Sequence, residues 1–152
     1  MDKAKEDGRY YLDYLANCPS AAKTKVGVIG FCMGGTMALT AAGTYPDRIG
    51  AIASFHGGNL ATDAADSPHL LAPKVEAEVY VAGADNDASY PREMQDKLDG
   101  ALTQAGVTHH CEIYSGASHG WMMPDFPIYD HAAAERGWEA MLALLGRALG
   151  SD

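Results

Sequence analysis

The sequence predicts an α/β fold, a parallel sheet with flanking helices, in one domain spanning residues 1–152. Three observations carry that reading. Short runs rich in β-branched residues, at 25–31, 49–55, 78–82 and 111–114, alternate with longer runs of helical period. The first short run ends in a cluster of glycines and passes straight into a helix. Reactive side chains then recur just beyond three of the four predicted strands, where a parallel sheet gathers its functional groups.

Composition narrows the function classes. Of 152 residues, 47% are hydrophobic and 20% charged, ordinary for a globular protein. A net charge of −9 argues against nucleic acid or an anionic membrane as partner and suits a small-molecule substrate. No apolar run is long enough to span a bilayer. Residues 1–7 are charged, with no apolar stretch behind them, so no signal peptide is expected. The three cysteines, Cys18, Cys32 and Cys111, form no CxxC pair and argue against a disulfide framework or a zinc site. A cytoplasmic, reducing compartment is expected, and no metal or other cofactor is called for.

In chain order, residues 4–15 predict a helix with Tyr11, Leu12 and Leu15 on one face, broken by Asn17-Cys18-Pro19-Ser20. The strand at 25–31, with Val26, Val28 and Ile29, reads as covered on both faces. Helix 33–44 places Met37, Ala38, Ala41 and Ala42 inward. Strand 49–55 closes on His56-Gly57-Gly58, read as a turn, and 59–74 is a surface excursion. Strand 78–82 leads to a loop, 83–90, before Pro91 opens a helix whose inner residues are Met94, Leu98, Ala101, Leu102 and Ala105. His109-His110, read as exposed, precedes strand 111–114. A Gly- and Pro-rich loop, 115–129, holds His119. Asp130 is a good N-cap for a last helix with Ala134, Trp138, Met141, Leu142, Leu145 and Leu149 on its inner face.

The segment Gly30-Phe31-Cys32-Met33-Gly34-Gly35 has the G-x-nucleophile-x-G spacing of a nucleophile elbow, with Cys where Ser is usual. The reactive side chain must stand on a strained turn, so a Cβ two residues to either side, at Gly30 or Gly34, is expected to collide with neighbouring backbone. Cys32 would sit at a helix N-terminus, where free N–H groups and the helix dipole favour an anion. The Met33 N–H would help hold an oxyanion.

A thiol nucleophile needs a base, and the base needs a carboxylate to fix its tautomer. Cys32 follows the first strand, Asp85 and Asp87 the third, and His119 the fourth, giving the chain order nucleophile, acid, base. Either aspartate could serve by position. Trp121 and Met122, just after His119, are candidates to line a substrate pocket, the alternative being ordinary core packing.

Gly30-Phe31-Cys32-Met33-Gly34-Gly35, Asp87-Ala88-Ser89-Tyr90-Pro91 and Ser118-His119-Gly120 together resemble the dienelactone hydrolase (carboxymethylenebutenolidase) family, a cysteine branch of the α/β-hydrolases. Residues 127–130 and 132–138 are similar to that family's entry into its C-terminal helix. The resemblance implies Cys32 as nucleophile, Asp87 as orienting acid and His119 as general base, cleaving a lactone or activated ester through an acyl-cysteine. It also implies that earlier strands, and with them a second oxyanion N–H, are lacking here. The strand at 25–31 is then expected to expose an apolar edge, covered by a second copy of the chain or by further sequence. The family's dienelactone-cleaving members carry an arginine shortly after the base; Met122, Met123 and Pro124 stand there, so a more apolar ester is as good a candidate. A binding site without turnover on the same scaffold is the rival reading.

Overall fold

The computed structural model describes residues 2–21 and 25–150. Helix α1 (Asp2–Asn17) precedes strand β1 (Val26–Phe31), helix α2 (Met33–Thr44), strand β2 (Ile49–Phe55), a 3-10 segment (Pro68–Lys74), strand β3 (Glu78–Asn86), helix α3 (Arg92–Gln104), strand β4 (His109–Ser118) and helix α4 (His131–Leu149). The four strands lie in the order β1-β2-β3-β4, every neighbouring pair parallel, which bears out the predicted class.

Each face of the sheet has its own core. On one face α2, α3 and the 3-10 segment bury Ala38, Leu39, Ala42, Ile52, Val79, Val81, Leu98 and Leu102. On the other, α4 and the segment after β4 bury Phe55, Tyr80, Tyr114, Trp121, Met122, Met141 and Leu144. A leucine buried this completely stabilises the fold by about 1.5–3 kcal/mol, so the apolar alternation of β2 and β3 is what anchors the rim above them. Asp130 caps α4 as expected, its carboxylate accepting the Ala133 N–H at 3.0 Å.

Several expectations need correction. Strand β1 is not covered on both faces: it is an edge strand among the described residues, and Ile29 is exposed. The face assigned to α1 is too wide, because α1 rests on the body mainly through Leu12 while Tyr11 stands 72% exposed and Leu15 is only partly covered. Met37 likewise lies open beside a groove between α1, β1 and α2. On α4 the buried stripe is Ala134, Gly137, Met141 and Leu144. Trp138 and Leu142 sit one position, about 100° of helical turn, off that stripe and are exposed. Strands β3 and β4 run longer than their apolar residues suggest, since Ala84 still pairs with Tyr114 and Asn86 with Ser118.

Candidate active site

The local chain folds as an elbow for steric reasons. Cys32 adopts φ 54° and ψ −123°, a region costly for a residue with a side chain. A Cβ on Gly30 would overlap the Gly34 carbonyl, and one on Gly35 would overlap the Ser54 hydroxyl. Gly34 itself faces open space, so the close approach is made by Gly30 and Gly35 rather than by the predicted pair. With strand and helix pressed together, the side chain between them can only project outward, and Cys32 is exposed.

Register supplies the rest. Phe31 pairs with Phe55, and Phe55 with Ala82, so the residues following β1, β2 and β3 reach one rim. There the Cys32 Sγ lies 3.1 Å from His119 Nε2, and His119 Nδ1 lies 2.7 Å from Asp87 Oδ2. The other Asp87 oxygen accepts the Ser89 N–H at 2.9 Å and the Ser89 hydroxyl at 2.5 Å, an Asx-type turn that fixes the carboxylate. Asp85 points elsewhere: its Oδ2 accepts the Gly116 N–H at 2.7 Å and ties β3 to β4. With Nδ1 donating to Asp87, the Nε2 lone pair of neutral His119 faces the sulfur.

Electrostatics differ sharply across this rim. Burial by itself would lower the His119 pKa, but hydrogen bonds to Asp87 and Cys32, and their charges, outweigh it and hold the imidazole above its ordinary value. Asp87 is almost fully buried while the imidazole is about one third exposed, so the carboxylate is anchored inside and part of the ring meets solvent.

A cavity of about 610 Å³ opens over the sulfur, lined by Cys32, Met33, Thr36, Asn59, Asn86 and Ser89 among others. Neither Lys nor Arg is among its lining residues. Met33 occupies the first position of α2, where a backbone N–H has no acceptor within the helix. Trp121 and Met122 do not line this cavity. Trp121 is fully buried against Tyr114, their ring centroids 5.1 Å apart, and Met122 packs beside Phe55 and Gly137. Both candidates are core residues, because the turn after His119 folds back under the rim. Among the described residues, no group of three or more His, Cys, Asp and Glu could hold a metal ion, and no helix is long and apolar enough to cross a membrane.

His56, expected in a turn, is 1% exposed, and its Nδ1 accepts the Cys32 N–H at 3.1 Å. Its ring meets those of His119 and Trp121 edge-on, at 5.2 and 5.1 Å. The signal for it was present in the sequence as the residue following the strand that pairs with the elbow strand. At the opposite end of the sheet His109, expected to be exposed, is largely covered, its imidazole meeting Asp99 at 3.1 Å.

A parallel sheet ending in a cysteine elbow, with an imidazole and a carboxylate delivered by later strand ends, defines the α/β-hydrolase fold class. More narrowly, residues 1–149 match the model of the dienelactone hydrolase family, and the chain belongs to that family. A Synechocystis sp. protein, provisionally named a carboxymethylenebutenolidase, is 29% identical over 134 residues, covering 86% of this chain and 54% of its own. A crystal structure from Klebsiella pneumoniae, provisionally named a dienelactone hydrolase, superposes with a TM-score of 0.85 at 23% identity, over 94% of this chain and 60% of that one. The dienelactone hydrolase-like promiscuous phosphotriesterase P91, from metagenomic libraries, superposes at 0.81 with 27% identity, over 95% and 61%. The chain thus spans a little over half the length of these relatives.

Proposed function

We propose that this chain hydrolyses small, uncharged esters or lactones through an acyl-cysteine, with Cys32 as nucleophile, His119 as general base and acid, and Asp87 holding the imidazole. The single observation that carries the proposal is the line of contacts Sγ–Nε2–Nδ1–Oδ2, at 3.1 and 2.7 Å. His119 takes the thiol proton as sulfur attacks the carbonyl carbon and a C–S bond forms. The Met33 N–H receives the developing oxyanion. The C–O bond then breaks, and the leaving alkoxide takes the proton back from Nε2. Water, deprotonated by the same nitrogen, attacks the thioester and returns free acid and thiol.

Substrate charge follows from the cavity. Among the described residues its walls offer amide and hydroxyl groups but no Lys or Arg, and the His119 imidazole is already engaged by Asp87. A substrate carboxylate would be desolvated there without a partner, which is unfavourable. The name of P91 adds phosphotriesters, also uncharged, to the substrates to be assayed. Cleavage of p-nitrophenyl acetate, with loss in Cys32→Ala, tests the proposal; equal turnover by that variant overturns it. Binding without turnover is the second reading, favoured because the elbow contributes only the Met33 N–H to the oxyanion. Intact-mass detection of a Cys32 acyl adduct after ester treatment excludes it.

A further inference from the structure

We propose that His56 is a positioning residue, its Nδ1 clamping the backbone of Cys32 and its ring bracing that of His119. The inference rests on the reading of Cys32 and His119 as nucleophile and base. A left-handed, non-glycine nucleophile persists only where its surroundings over-determine it. Here the Cys32 N–H is shared between the Phe55 carbonyl and His56 Nδ1, both at 3.1 Å. The Cys32 carbonyl is held in turn by the Gly35 N–H at 3.0 Å. His56 pays for its place with its own positive φ of 40°, stabilised by donation of its N–H to the Ala82 carbonyl at 2.8 Å.

The acceptor role requires a particular protonation state. If Nδ1 accepts, the ring hydrogen of neutral His56 belongs to Nε2. That nitrogen is buried and has no hydrogen-bond partner among the described residues. A histidine kept with one nitrogen unsatisfied is costly unless the other nitrogen is used. Apolar residues of similar size would fill the space without that cost. The groups facing the ring are His119, Asp87, Phe31 and Trp121. Burial, then the neighbouring His119, lowers the His56 pKa to about 4 against the raising effects of its own backbone hydrogen bond and of Asp87, so the ring is neutral near neutral pH and one of its nitrogens is free to accept.

Asparagine and glutamine separate this role from simple packing, because the Asn amide oxygen falls where Nδ1 lies whereas the Gln amide reaches toward Nε2. Alkylation of Cys32 by iodoacetamide, followed by peptide mass spectrometry, reads elbow geometry without needing an ester; Cys111 is a poor competitor because burial pushes its thiol up to about 12. The rate is expected to fall roughly 5- to 30-fold in His56→Leu and His56→Gln, the equivalent of about one hydrogen bond. His56→Asn is expected to recover most of it, and kcat for p-nitrophenyl acetate to follow the same order. Equal rates for Asn and Gln overturn the clamp, whatever the result for Cys32→Ala. Loss of turnover in Cys32→Ala with normal His56 variants overturns the clamp and leaves the triad reading standing. Should the variants fail to fold, imidazole ¹⁵N shifts of the wild-type protein decide: a hydrogen on Nε2 supports the clamp, a hydrogen on Nδ1 overturns it.

Discussion

The site has a dry floor and a wet rim, and two histidines whose rings are 5.2 Å apart show what separates them. His56, in the floor, has no carboxylate partner, so burial decides and its pKa falls to about 4. His119, on the rim, is partly buried and burial pulls its pKa down as well, but the anchored Asp87 reverses the sign and its pKa rises. Proximity to one sulfur therefore does not give two side chains one chemistry. A buried carboxylate at 2.7 Å does more than the shared location.

The comparison predicts that rim changes remove reactivity and floor changes remove stability. Cys32→Ala should reduce ester turnover at least 10³-fold while leaving the melting temperature almost unmoved, because Cys32 is exposed; a large fall in melting temperature would break the distinction. Asp87→Asn should lower kcat by about 10²- to 10⁴-fold by releasing the imidazole from its tautomer. An NMR titration should then show the His119 pKa moving down. Trp121→Ala, in the floor, should cost about 3–5 kcal/mol of stability by urea titration. Its turnover per folded molecule should suffer far less than that of Asp87→Asn.

The smallest effect is in pH. The folded pKa of His56 lies below the unfolded value of 6.5, so the unfolded chain binds the extra proton. His56 therefore makes stability fall as pH drops from about 6.5 to 4. The folded pKa of His119 is raised, so its contribution is fully present below 6.5 and is lost as pH rises through the folded value. Melting temperature should accordingly decline on both sides of the histidine range. His56→Asn should flatten the acid side and His119→Gln the alkaline side; unchanged slopes would contradict the assignment.

Much of this site was legible because it is written in local spacing. The glycines around Cys32 announce an elbow, and reactive residues just past predicted strand ends announce a shared rim. Position alone does not choose Asp87 over Asp85, since residues two apart along an extended chain share a face; the register irregularity between Ala84 and Asn86 is what separates them. His56 was missed because its role comes from cross-strand register, Phe31 against Phe55, and not from its neighbours in sequence. Trp121 and Met122 were misplaced for a related reason: adjacency to His119 says nothing of how the following turn folds back. The exposure of Trp138 and Leu142 shows the limit of periodicity, which sets a stripe's spacing better than its exact bearing.

Among the described residues, the outer edge of β1 has no strand beside it, and Cys32 follows directly on those six residues. Backbone groups left unpaired there can accept another extended segment. Anything that docked on that edge would take hold of the chain one residue from the sulfur. Self-association and reactivity thus share a single length of backbone, and a change in one should be audible in the other.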